Sequence, residues 1–390
     1  MRILLAAEHL GRAGGMERYL QIVLPALVAH GARVHVLART LDEVPPGVTA
    51  ESIGWADEHD EPDAGARALA ERARDAFRPD VAVLHNVMDA GIVEAFCAVA
   101  RTVYHVHDHR PFCPNGDRLY PWRQRTCTRP LGTACMVHAL VDGCGYGPRA
   151  RTLALLRRRE RLRDAIARCD VTIVASAYVA ARAHDSGIPA DRLVTLPLPL
   201  PDEAYAAMPP APGARSVVFA GRAVPQKGLD ALVRALALLP AERRPLLRAF
   251  GGGPLLARVK EQAARTGVAL DAPGEATPET VRDAIDGAAL VALPSRWAEP
   301  FGYVGIEAFA RGRPVVAFAV GGVDAWLADG VNGIAVPAAD DVALAAAIRA
   351  LLDDHERCER LGRRARSDAE RFRAAPILET LFRLYGGKPA

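Results

Sequence analysis

Short apolar runs alternate with helically spaced stretches along most of the chain. Arg2–Ala7 is apolar behind a single charge and predicts a buried first strand. Met16–His30 repeats Leu20, Val23, Leu24, Leu27 and Val28 at helical spacing, with Gly31 to end the helix and Pro25 to kink it. Arg33–Ala38 reads as a strand, Asp42–Asp63 as polar and turn-rich, and Ala64–Phe77 as a charged helix. Strands Val81–Leu84 and Thr102–Val106 flank a helix at Ile92–Ala100. Beyond Pro111–Gly147, the first half closes with helix Pro148–Arg168, strand Val171–Ala175, helix Ala177–Asp185 and strand Leu193–Leu196. Pro197–Pro212 carries proline at 197, 199, 201, 209, 210 and 212, so it reads as a stiff, extended linker. The alternation then restarts, with strands Ser216–Ala220, Leu246–Phe250, Ala288–Leu293, Val315–Val320 and Ile334–Val336. Helices are expected at Leu229–Leu239, Leu255–Arg265, Pro278–Asp286, Tyr303–Arg311, Val342–Leu352, His355–Ala369 and Ala375–Tyr385.

Such alternation builds parallel sheets covered by helices on both faces. The expected fold class is α/β with two doubly wound domains, 1–200 and 201–372, the first carrying a cysteine-rich insertion at 111–147. Residues 373–390 form a closing helix. Composition narrows the function only by exclusion. The net charge of +3 is too small for a nucleic-acid partner. No apolar run approaches the ~20 residues of a membrane span, and Met1–Ala7 is too short for a leader. A cytoplasmic chain with reduced thiols is therefore expected.

Pro294–Phe318 concentrates the chemistry. A buried strand runs into a loop that ends in Glu299-Pro300-Phe301-Gly302, and a small apolar helix follows until Gly312 and Pro314 stop it. Backbone N–H groups at Phe301–Tyr303 open that helix and favour an anionic or oxygen-rich ligand. Glu299 precedes the helix and Glu307 lies within it, and carboxylates accept the paired hydrogen bonds that vicinal sugar hydroxyls offer. Further back, Gly221-Arg222 and Lys227-Gly228 sit at a strand-to-helix switch, where two cations suit a diphosphate.

The stretch E-P-F-G-x-V-x-I-E-A-x-A-x-G-x-P-V-V-A resembles the donor-site signature of retaining GT-B glycosyltransferases of the GT4 (glycosyltransferase group 1) family. The resemblance covers nearly the whole chain and is strongest from Ser216 to Pro337. It implies a GT-B fold: two Rossmann-like domains facing across a cleft, acceptor bound by the first and nucleotide sugar by the second, with the last helix crossing back to the first domain. By the same resemblance Arg222 and Lys227 bind the donor diphosphate. Glu299, Phe301, Gly302 and Tyr303 lie against sugar and phosphate, and Glu307 holds the ribose. Gly221 and Gly253, the latter in a G-x-G-P turn, belong to the donor loops. Gly14 and Gly15, with Glu17, match a Gly-Gly-x-Glu turn that approaches the donor phosphates. His107, in His107-Asp108, lies near the donor sugar. The implied catalytic set is thus His107, Glu299, Arg222 and Lys227. Two departures are an Asp324 where the family carries Glu and the absence of its Asn-Gly after the linker strand.

The implied reaction moves a sugar from a UDP- or GDP-type donor to an acceptor hydroxyl, in glycan, glycolipid or glycosylated natural-product synthesis. A non-catalytic nucleotide-sugar-binding protein and a GT-B phosphorylase or epimerase remain open alternatives. So does a metallohydrolase, because His105, His107 and His109 alternate and would share one strand face. No catalytic metal is expected, since the chain contains no Asp-x-Asp pair. Cys113, Cys127, Cys135 and Cys144 punctuate a segment rich in Pro, Gly and Arg that has little to bury. They point to a structural zinc site, with unligated thiols, disulfides or an iron–sulfur cluster as alternatives. Helix 148–168 carries eight arginines against Glu160 and Asp164, with a stripe of Leu153, Leu156, Leu162 and Ile166. Its basic face is either simply solvated or a peripheral contact for anionic lipid at the inner membrane face.

Overall fold

The structure, a computed structural model, describes residues 1–11, 14–55, 65–145, 147–205 and 215–387. The rest of the Gly-rich loop at Arg12, part of the turn-rich stretch (56–64), and linker residues 206–214 lie outside the described residues. The chain divides into two units. The first comprises Met1–Trp122, Thr128–Pro199 and Ala374–Ala390, and the second Arg123–Cys127 and Leu200–Arg373.

The first unit is built on seven parallel strands: β1 Arg2–Leu10, β2 Arg33–Leu41, β3 Thr49–Ser52, β4 Val81–His85, β5 Thr102–Val106, β6 Val171–Val174 and β7 Leu193–Thr195. Their order across the sheet is β3-β2-β1-β4-β5-β6-β7. The central strands are apolar on both faces because helices cover both. Val81–Leu84 and Val103–Tyr104 are at 0% exposure. β3 escaped the sequence pattern because it is a four-residue edge strand, TAES, with no buried residue. The helix after β1, Gly15–Ala29, holds Pro25 on an exposed position and buries Leu20, Val23, Leu24 and Leu27.

In helix Arg149–Ile166 the buried stripe is Leu155, Leu156, Leu162 and Ile166, while Leu153 is exposed. Leu155, and not the expected Leu153, faces the core. The cysteine-rich insertion also buries more than its composition suggested. Phe112, Leu119, Tyr120 and Leu131 are in the core. Arg118, 2% exposed, donates to the carbonyls of Phe112 at 3.3 Å and Arg129 at 2.9 Å. A short helix at Ala134–Val141 buries nothing and was not legible as a helix.

The second unit repeats the plan with six parallel strands: β8 Ser216–Ala220, β9 Leu246–Phe250, β10 Leu270–Gly274, β11 Leu290–Leu293, β12 Val315–Phe318 and β13 Gly333–Val336. Their order is β10-β9-β8-β11-β12-β13. β10, LDAPG, was missed because Pro273 cannot donate to a ladder. The strand is tolerated at the sheet edge, where its register with β9 shifts between Arg248 and Phe250. In both units the strand order reverses beside the first strand, at β1/β4 and at β8/β11. Ligands of open parallel sheets bind outside the carboxyl ends of the strands at such switch points.

Candidate active site

The second unit places two loops side by side at its switch point. One leaves β8 and carries Gly221-Arg222 and Lys227-Gly228. The other leaves β11 and carries Ser295 to Gly302. Gly228 caps the helix Leu229–Ala237 in the left-handed region (φ 71°), and a Cβ there would meet the Pro294 carbonyl oxygen at 2.0 Å. Glycine is therefore what lets the loops touch. Arg296 N–H donates to the Gln226 carbonyl at 2.8 Å, and the Arg296 guanidinium holds Asp230 at 2.8 Å, fastening them further.

Across this contact lies a buried ion pair. Lys227 Nζ donates to Glu299 Oε1 at 3.0 Å and Oε2 at 2.8 Å. Oε2 also accepts from Ser295 Oγ at 2.9 Å and Trp297 Nε1 at 2.9 Å. The Glu299 side chain is 6% exposed and that of Lys227 20%. Burial raises the Glu299 pKa, but the Lys227 charge and the three hydrogen-bond donors outweigh it and hold the carboxyl below its usual range. The lysine ammonium sits 5.0 Å over the Trp297 ring. Two of its three protons go to Glu299, which leaves one for a ligand, and Oε1 keeps a lone pair. The Glu299 backbone is pinned as well. Its carbonyl accepts from Gly322 N–H at 2.6 Å, and a Cβ on Gly321 (φ 62°) would overlap the Glu299 backbone at 2.2 Å.

Gly302 (φ 95°) opens helix Tyr303–Ala310 with no side-chain cap, and the N–H groups of a helix's first turn have no partner within the helix itself. The Phe301 ring is 2% exposed and packs edge-on against Phe372, and its carbonyl accepts from Trp326 Nε1 at 2.6 Å. Phe301 can offer a ligand only its backbone. Glu307 is half-buried one turn into the helix, and Arg222 is exposed just after β8. Gly253 lies against the backbone of Ala223, where a Cβ would meet that carbonyl oxygen at 2.6 Å. Its role in this structure is the close approach of two loops.

Gly14, Gly15 and His107 belong to the first unit. Gly14 (φ 124°) precedes the helix after β1, and Gly15 has open space around its Cα. His107 follows β5 and stacks with His85 and His105. The expected trio His105, His107 and His109 is not what the structure brings together. The strand ends at Val106, and His109 turns away to meet the Tyr178 ring edge-on. His85, at the end of β4, takes its place. The ligating nitrogens of His85, His105 and His107 lie within 4.8 Å of one another. His85 Nδ1 lies 2.8 Å from His107 Nε2, however, so two of these nitrogens are hydrogen-bonded to each other. Sequence reasoning missed His85, Ser295 and Trp297. Only His85, at a strand end one place before Asn86, carried a signal. Cys113, Cys135 and Cys144 fall in the first unit and Cys127 in the second, each half-buried.

The Glycosyl transferases group 1 family matches residues 206–368, and Glycosyltransferase Family 4 matches residues 13–203. The chain belongs to the group 1 (GT4) glycosyltransferases. A D-inositol 3-phosphate glycosyltransferase from Nocardia farcinica is 38% identical over 185 residues, 45% of this chain and 41% of that protein. Another from Xylanimonas cellulosilytica is 39% identical over 184 residues, 45% and 43% of the two chains. The matched region thus spans less than half the length of these curated relatives. Sucrose-phosphate synthase from Thermosynechococcus elongatus superposes with a TM-score of 0.74 at 20% identity, covering 98% of each chain. HepE from Anabaena, in complex with UDP-glucose, superposes with a TM-score of 0.73 at 18% identity, covering 99% of this chain and 100% of its own. At these identities the likeness establishes the GT-B α/β fold.

The histidine stack should make the chain less stable in acid. Burial lowers the pKa of His85 and His105 and pushes that of His107 down to about 4. The unfolded chain, with histidines near ~6.5, binds more protons between the two values, so stability is full above the unfolded pKa and falls with pH. Thermal unfolding is expected at a lower temperature at pH 5 than at pH 7, and His107→Gln should narrow the difference.

Proposed function

We propose that the chain transfers a sugar from a nucleotide diphosphate sugar to an acceptor hydroxyl, with retention at the anomeric carbon. The observation that carries this reading is the Lys227–Glu299 pair at the β8/β11 switch point. A buried, ionised carboxylate with one oxygen in reserve suits a sugar hydroxyl, and its lysine keeps one donor for a leaving phosphate. Charge builds on that diphosphate as the glycosidic bond breaks, and fixed cations lower the barrier most there. Arg222 supplies the second cation and the N–H groups of Gly302 and Tyr303 the helix-end field. Glu307 holds the ribose, and His107 meets the sugar. No divalent ion is needed in this scheme.

A UDP-type donor is favoured by the likeness to HepE, which was solved with UDP-glucose. The acceptor is a hydroxyl compound of unassigned class. A cytoplasmic site at the inner membrane face fits helix Arg149–Ile166, whose Arg149, Arg151 and Arg157 are exposed. The full cation and carboxylate set favours transfer over a non-catalytic binder, phosphorylase or epimerase. Screening UDP- and GDP-sugars by thermal shift should find one donor that stabilises the protein, by about 2.7 kcal/mol at 100 times its dissociation constant. Glu307→Ala should lose that shift together with transfer, and transfer by the wild type should survive EDTA. A folded Glu307→Ala protein with unchanged donor shift and transfer would contradict the assignment.

A structural zinc on Cys113, Cys127, Cys135 and Cys144 completes the proposal. Four thiolates would suit a tetrahedral zinc, each of these cysteines is half-buried, and the segment they punctuate leans on a buried arginine as much as on apolar burial. Elemental analysis of protein purified without a metal column is expected to give about one zinc per chain. Its loss in Cys127→Ser should coincide with loss of the fold of 111–147. Metal-free protein with full activity would exclude the site.

A further inference from the structure

The proposed reaction uses His107 and leaves His85 unexplained. His85 is at 0% exposure, closes β4, and pairs in register with His105 of β5. Its ring stacks on His105 at 4.4 Å and on His107 at 5.1 Å. Its Nδ1 lies 2.8 Å from Nε2 of His107. The next residue, Asn86 (φ 50°), accepts from the His107 backbone N–H at 2.9 Å, so the position of His107 is fixed from the main chain as well.

One proton lies between the two rings, and the rest of the structure says which nitrogen owns it. His85 Nε2 is buried with no hydrogen-bond partner. If His107 donated, the proton of neutral His85 would sit on Nε2, a buried N–H with nothing to bond. If His85 donates from Nδ1, Nε2 is a bare lone pair instead. Orphaned buried N–H groups are the rarer of the two in folded proteins. The second arrangement places the proton of His107 on Nδ1, and among the described residues no protein group bonds that nitrogen. His107 and His105 line a small cavity with Tyr19, Pro197 and Leu198.

We propose that His85 is a positioning residue that locks His107 as its Nδ1–H tautomer, so that His107 meets the sugar as a hydrogen-bond donor and not as a base. This rests on the reading of His107 as a sugar contact. It also gives the stack a purpose that metal binding would not, since Nε2 of His107 is already occupied.

The test is two-bond nitrogen–proton NMR of the full chain labelled at histidine, with His107→Gln to assign the signal. The wild type is expected to show His107 protonated at Nδ1, and His85→Leu to show the Nε2–H form or a mixture. In transfer assays His85→Leu should lower kcat about 100-fold with donor KM little changed. His85→Gln, whose amide can still donate, should recover part of the loss. His85→Leu should add nothing in a His107→Ala background. A wild-type His107 protonated at Nε2 overturns the proposal, as does an equal kcat loss from His85→Leu with and without His107. Full activity in His107→Ala would instead remove the sugar contact, and the spectrum would still decide the tautomer.

Discussion

Two loops of the second unit meet at a buried salt bridge. Lys227 and Glu299 come from different loops, each leaving a different parallel strand, and neither has another charged partner among the contacts that fix it. Taking both charges out of water costs several kcal/mol per ion, and their attraction returns this only when the remaining lone pairs are satisfied. Ser295 and Trp297 do that for Oε2. The glycines follow from the same constraint. Gly228 lets one loop lie on Pro294, and Gly321 lets a third loop lie on the Glu299 backbone. A pair built at this cost is poor economy for stability alone, and its reserve of one proton and one lone pair is what a phosphate and a hydroxyl would use.

How much of this was legible in the sequence depends on how local each signal is. The parallel strands were, because Val81–Leu84, Leu290–Leu293 and Val315–Phe318 are apolar runs buried on both faces. The edge strands Thr49–Ser52 and Leu270–Gly274 were not, because an edge needs no apolar face and the second contains a proline. Glu299 and Lys227 stood out through their motifs, but their partnership did not, since it joins positions 72 residues apart. Nor did the histidine stack. Alternation along one strand suggested His105, His107 and His109, whereas the sheet register delivers His85 from the neighbouring strand and the end of β5 releases His109.

The two units use histidine and carboxylate in opposite ways. In the first, burial keeps three imidazoles neutral, and their hydrogen-bond roles are set by which nitrogen has a neighbour. In the second, burial is overcome by a charge and three donors, so the carboxylate stays ionised.

The most direct measurement is a double-mutant cycle on Lys227→Met and Glu299→Gln, followed in both unfolding free energy and sugar transfer. Each single variant should lose about 3–5 kcal/mol, because each leaves a buried group without its partner, and the double variant should regain much of that. Transfer should remain lost in all three. A double variant that recovers transfer along with stability would show the pair to be scaffolding and contradict its place at the centre of the donor site.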